Sequence, residues 1–157
     1  MDNNKKVALR LGIAAVAVVA AGLFAWNFGL FEPDLSQSAL IVSPATFDFG
    51  EISMAKGTVT KTFMLQNDGD DAVKISDVRT SCMCTIAEID GAMFGMHQNP
   101  AVNITIPPKS SKEMNVMFDP NAHGPDAVGP ISRVVFIATN SRSTPQVTAK
   151  IDGNVIK

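Results

Sequence analysis

Apolar side chains recur at every second position through much of this chain, and that period restricts it to extended structure. Val102, Ile104 and Ile106 alternate with Asn103 and Thr105; Met114, Val116 and Phe118 with Asn115 and Met117; Val147, Ala149 and Ile151 with Thr148 and Lys150. Successive side chains of a strand point to opposite faces, so each triplet marks the inner face of a half-buried strand. The run from Arg133 to Ala138 is apolar on both parities, as in a strand flanked on both sides. Thr58 to Gln66 and Ala72 to Val78 supply two further strands, and Asn67 to Asp71 between them reads as a hairpin turn. With Phe47-Asp48-Phe49 the count reaches seven or eight short strands punctuated by Gly, Pro, Asn and Asp, the pattern of an all-β sandwich.

A different period rules the start of the chain. Leu11 to Phe31 is a stretch without a charge in which Asn27 is the one clearly polar side chain, and at about 1.5 Å per residue a helix of this length spans the roughly 30 Å hydrocarbon core of a bilayer. Lys5, Lys6 and Arg10 precede it and Glu32 and Asp34 follow it, so residues 1–10 are expected in the cytoplasm, 11–31 as a transmembrane anchor and the remainder outside. Val19-Ala20-Ala21 resembles a signal-peptide cleavage site, but the apolar run continues through Leu23 to Trp26, which favours an uncleaved anchor. Residues 32–42 read as a polar linker, and 43–157, about 115 residues, suffice for one domain with a single core.

Charge narrows the partners. The first 31 residues hold three of the 13 Lys and Arg and one of the 15 Asp and Glu, which leaves 10 basic and 14 acidic side chains beyond them. No basic block remains to neutralise phosphates, so nucleic acid is not an expected partner. Asp68, Asp70 and Asp71 lack the alternating ligand pattern of a calcium loop, and no nucleophile elbow, phosphate-cradling glycine loop or zinc-hydrolase helix is visible. The chain has no tyrosine, and its one tryptophan, Trp26, lies in the apolar stretch, so an antibody-type domain is excluded.

Five motifs occur in a fixed order: Phe47-Asp48-Phe49-Gly50-Glu51-Ile52, Phe63-x-Leu65-x-Asn67-x-Gly69, Ser81-Cys82-x-Cys84-Thr85, Val116-x-Phe118-Asp119-Pro120 and Thr139-Asn140. Over residues 43 to 155 this series resembles the bacterial exported domains catalogued as domain of unknown function 1573. The resemblance implies an immunoglobulin-like sandwich of the ASH type and assigns no activity. Two departures from the family pattern stand out: Met83 replaces the glycine usual between the two cysteines, and the segment from Ala87 to Pro100 looks like an insertion.

Cys82 and Cys84 are the only cysteines. On an extended stretch they share a face, with Cα atoms about 6.5 to 7 Å apart, near the upper limit for a disulfide. Three readings follow: buried free thiols, an easily reduced disulfide, or a thiolate pair holding a soft metal. If Gly91 to Gln98 forms a helical turn, Met93, Met96 and His97 fall on one face that could close over the cysteines. Thiolate, thioether and imidazole together suit Cu(I), with His123 as a further candidate ligand. Against this, methionines more often fill gaps than bind metal, and loop histidines are usually solvated. The expectation is therefore a non-enzymatic, membrane-anchored extracytoplasmic module that binds a protein or cell-envelope component. Cu(I) binding through Cys82, Cys84, Met93, Met96 and His97 is one alternative, and thiol–disulfide exchange with a redox partner is another.

Overall fold

The computed structural model describes residues 35–97 and 100–157. The anchor expected over 11–31 lies outside the described residues, and among these no helix is long and apolar enough to cross a membrane. In chain order the strands are β1 (Leu40–Ser43), β2 (Thr46–Ser53), β3 (Val59–Asn67), β4 (Val73–Thr80), β5 (Thr85–Ile89), β6 (Ala92–Phe94), β7 (Ile104–Ile106), β8 (Ser110–Phe118), β9 (Gly129–Thr139) and β10 (Gln146–Ile156), with one 3-10 turn over Met54–Lys56. They form two five-stranded sheets, β1-β3-β8-β5-β6 and β2-β10-β9-β4-β7. All pairs are antiparallel except β2 with β10.

The alternation read from the sequence becomes the interior. Phe63, Leu65, Met114, Val116 and Phe118 from one sheet meet Val78, Val135, Ile137, Ala149 and Ile151 from the other in a single apolar cluster. Their intervening neighbours face outward, as a period of two requires. β9 lies between β10 and β4, the flanked position expected of Arg133 to Ala138, with Val135 and Ile137 buried and Val134, Phe136 and Ala138 only partly so. Its outward Phe136 lies beneath the Arg79 guanidinium, 5.4 Å from the ring centroid.

Three sequence expectations are corrected. The number of strands is ten among the described residues, not seven or eight. One addition, β1, falls at residues expected in the linker: Leu40 is buried, as are Ser36 and Ser38 before it. The Ser38 hydroxyl accepts a hydrogen bond from the Asp71 amide at 2.8 Å. Short hydroxyl side chains that bond nearby backbone have no periodicity, so their docking was invisible in the pattern.

Second, Asn67 to Asp71 is not a hairpin turn, because β3 and β4 belong to different sheets. The side chain of Asn67, fully buried, holds this crossover. Its Nδ2 lies 2.8, 3.0 and 3.1 Å from the carbonyls of Asp71, Ile106 and Pro107, while its Oδ1 accepts the Gly69 amide. A Cβ on Gly69 would collide with Ser38, so glycine is required at this close approach.

Third, the helical turn expected over Gly91 to Gln98 does not form among its described residues, 91 to 97. Asp90 and Gly91 both have positive φ, 52° and 81°, and make a two-residue connection between β5 and β6 with Ile89 opposite Ala92. Asp-Gly suits such a turn because both central positions need the left-handed region. Phe94 then packs inward, fully buried. The turn is tied by Glu88, whose carboxylate accepts the Asn115 side-chain amide at 2.9 Å and the Gly91 amide at 2.8 Å.

The bond from Asn115, followed by that from Gly91, holds the Glu88 carboxyl below its ordinary value of 4.5. A depressed carboxyl contributes stability that is present above the unfolded value and lost as pH falls through the folded one. Asn115→Ala is therefore expected to move the Glu88 midpoint, followed by side-chain carboxyl NMR, upward toward 4.5. An unchanged midpoint would contradict this role for Asn115.

Candidate functional site

Residues 81 to 84 carry the chain from β4 in one sheet to β5 in the other. The extended geometry expected across Thr80 to Thr85 is thus replaced by a turn. The Thr85 amide bonds the Cys82 carbonyl at 3.1 Å, and the Cα atoms of Cys82 and Cys84 approach to 5.3 Å. That separation lies within the usual range for a disulfide, and the two sulfurs are bonded. The reading of two buried free thiols is set aside, since no described cysteine is free.

The turn is pinned on all sides by backbone and hydroxyl groups. Ser81 donates its amide to the Val134 carbonyl at 2.9 Å and accepts the Val134 amide on its hydroxyl at 2.9 Å. Thr80, itself buried, aims its hydroxyl between the carbonyls of Cys82 and Thr85, at 2.9 and 3.0 Å. The Cys84 carbonyl accepts the Asp119 amide, and the Gly95 carbonyl accepts the Thr80 amide. A sheet-crossing turn has no ladder partner of its own, so these bonds satisfy groups that would otherwise be orphaned.

The two sulfurs differ in their surroundings. Cys84 is 3% exposed, and the Arg133 Nε of β9 donates to its Sγ at 3.2 Å. Cys82 is half-buried and has the Nε2 of His123 3.3 Å from its Sγ. His123 sits exposed on a short turn in the connection from β8 to β9, closed by Gly124 bonding the Asn121 carbonyl. Gly124 takes a φ of 91°, a conformation that suits glycine.

Cys82 Sγ, Cys84 Sγ and a His123 ring nitrogen lie within 4.8 Å of one another, a possible ligand group. Of the residues the sequence singled out, the structure therefore brings together Cys82, Cys84 and His123. Met93 lies on β6 and is exposed, and Met96 and His97 follow that strand, also exposed. Met93 cannot share a helical face with Met96 and His97, because β6 is extended. Arg133 was missed. It is 49 residues from Cys84 in sequence, and only the register of β9 brings it to the sulfur, so no local motif could have shown it.

The family model "Protein of unknown function (DUF1573)" matches residues 40–155. The chain belongs to the DUF1573 family. Among solved structures, this DUF1573 protein is similar to a protein of unknown function from Porphyromonas gingivalis W83 at 17% identity and a TM-score of 0.61, covering 79% of this chain and 51% of that one. The chain thus spans about half the length of that protein. A family 123 glycoside hydrolase from Clostridium perfringens is similar over 78% of this chain and 27% of its own, at 6% identity and a TM-score of 0.51. The ASH/PapD-like domain 7 of human CEP192 is similar over 80% and 89%, at 12% identity and a TM-score of 0.49. At such identities the likeness concerns the fold alone. A search of curated proteins gave no significant match.

Thr80→Val keeps the shape of the side chain and removes the hydroxyl from two carbonyls in a buried position. It is expected to destabilise the domain by about 1–3 kcal/mol in urea unfolding. A change within about 0.5 kcal/mol, the scale of an inert surface substitution, would show that the hydroxyl does not hold the turn.

Proposed function

We propose that this DUF1573 protein is a membrane-anchored, extracytoplasmic binding module, non-enzymatic in itself, that engages a protein or cell-envelope component through the β5–β6 edge of its sandwich. The observation that supports it is a set of exposed methionines flanking β5. Met83 precedes the strand and is 67% exposed, Met93 on β6 is 61% exposed and Met96 beyond it 44%. Methionine is flexible and polarizable, suited to adaptable apolar contacts, and such side chains in water at one edge mark a place where another surface can dry them. The apolar stretch from Leu11 to Phe31 supports the anchor. The bonded sulfurs support an oxidising compartment, where disulfides persist.

Placing a photo-cross-linker at Met93 of the full-length protein in cells tests this, with Thr148, exposed on the other sheet, as the control position. The expected result is a discrete adduct from position 93 and none from 148, in protein that stays with membranes after carbonate washing and is cut by protease added to spheroplasts. Equal labelling from both positions, or a domain protected from external protease, would contradict the proposal.

A second reading keeps the soft-metal chemistry and changes its ligands. On reduction, Cys82 and Cys84 with His123 would offer two thiolates and an imidazole within reach of one ion, a donor set for Cu(I). Competition against a Cu(I) chelator should then show uptake by the reduced protein that weakens at least tenfold in His123→Ala and is unaffected by Met93→Leu with Met96→Leu. Loss of uptake in the methionine pair instead would restore the ligand set expected from sequence.

A further inference from the structure

A disulfide that encloses only Cys82, Met83 and Cys84 restrains little of the unfolded chain. In the loop-entropy relation the stabilisation grows with the logarithm of loop length, so a three-residue loop gives only about half of what a 15-residue loop does. Both sheets are held by their own ladders, and the bond joins no two strands across the sandwich. Stapling is therefore a weak reason for this bond to exist, and the asymmetry of its surroundings suggests a chemical one.

The geometry points to a stoichiometric thiol–disulfide exchange site with a fixed polarity, in which Cys82 is the sulfur attacked, Cys84 the leaving thiolate and Arg133 the charge that receives it; the partner class is a dithiol. Exchange proceeds through a mixed disulfide, and its rate depends on which sulfur is accessible and on how well the departing thiolate is stabilised. Here accessibility and stabilisation divide between the two cysteines. Cys82 is half-buried at the surface turn, while Cys84 is 3% exposed and takes the Arg133 Nε–H at 3.2 Å.

The reaction balances without a further reagent. A partner thiolate attacks Cys82 Sγ, the Cys82–Cys84 bond breaks, and its electron pair leaves on Cys84 Sγ beside Arg133. The second partner thiolate then attacks the partner's own sulfur in the mixed disulfide. This forms the partner's disulfide and releases Cys82 as a thiolate, with His123 Nε2 placed 3.3 Å away to hydrogen-bond it. The domain gains two electrons and the partner loses them; the two protons that the partner's thiols gave up on ionising go to the solvent, and Cys84 and Cys82 are left as thiolates. Arg133 is a positioning residue for charge here, and it need not touch the partner. The inference rests on the sulfur site alone and is independent of whether the methionine edge binds a protein.

Reduced glutathione is a suitable probe, added to the oxidised full-length protein in detergent micelles, with acid quenching and fragment-ion mapping on either side of Met83. The mixed disulfide is expected on Cys82. Its formation should slow about 3- to 10-fold in Arg133→Gln. It should recover most of the parent rate in Arg133→Lys and match the parent in Arg142→Gln, a change at an exposed residue elsewhere. Melting of each oxidised variant identifies any that fails to fold, and Arg133→Lys carries the charge test if Arg133→Gln does. Glutathione mapped to Cys84, equal rates in Arg133→Gln and the parent, or no reaction short of unfolding would each overturn the inference.

Discussion

Four residues take the main chain from one sheet to the other at the end of β4, and the chemistry of the molecule follows from that short passage. Sheets in a sandwich pack about 10 Å apart, so residues 81 to 84 must turn sharply and cannot share in either ladder. Sulfurs two positions apart, which an extended chain would hold at the edge of bonding range, are drawn together by this turn. The same passage lies against β9 and beside the connection from β8 to β9, which supply Arg133 and His123. A sandwich with a longer crossover here would carry the same two cysteines without their polarised surroundings.

Rigid surroundings matter more to such a site than reach. The turn is bonded to Val134 through Ser81, to Asp119 through the Cys84 carbonyl and to itself through Thr80. The side chains facing the sulfurs come from different elements, so their placement depends on the register of β9 and on the closure of the turn at Gly124. Met83 is carried outward between the two cysteines. Its side chain gives the sulfur turn an apolar tip, continuous in chemistry with the exposed methionines on the β6 side.

The interior was legible from sequence wherever burial follows a period of two. Ile104, Ile106, Met114, Val116, Phe118, Ala149 and Ile151 were placed correctly on one face, and the double-sided run at 133–138 proved to lie between two neighbours. What escaped was set by contacts that leave no period. Ser36 and Ser38 dock through hydroxyls, Asn67 satisfies three carbonyls across a crossover that reads like a hairpin, and Arg133 reaches Cys84 only through tertiary register. The Asp90-Gly91 turn did have a local signal in its two residues. It was outweighed by a methionine and histidine spacing that fits a helix but has no helix to fit. Of the candidate site, the two cysteines and His123 were named in advance, while the residue that polarises the pair was not.

The sandwich must stand without its disulfide for the sulfur pair to be free to react. Thermal melting of the protein isolated from cells, in oxidised and fully reduced form, with thiols counted by alkylation before and after reduction, measures this most directly. The prediction is no alkylation before reduction, two alkylated sites after it, and a reduced domain that still melts cooperatively within about 10 °C of the oxidised one, as a loss near 1.6 kcal/mol implies for a domain of this size. Two reactive thiols in the unreduced protein, or collapse of the fold on reduction, would contradict it.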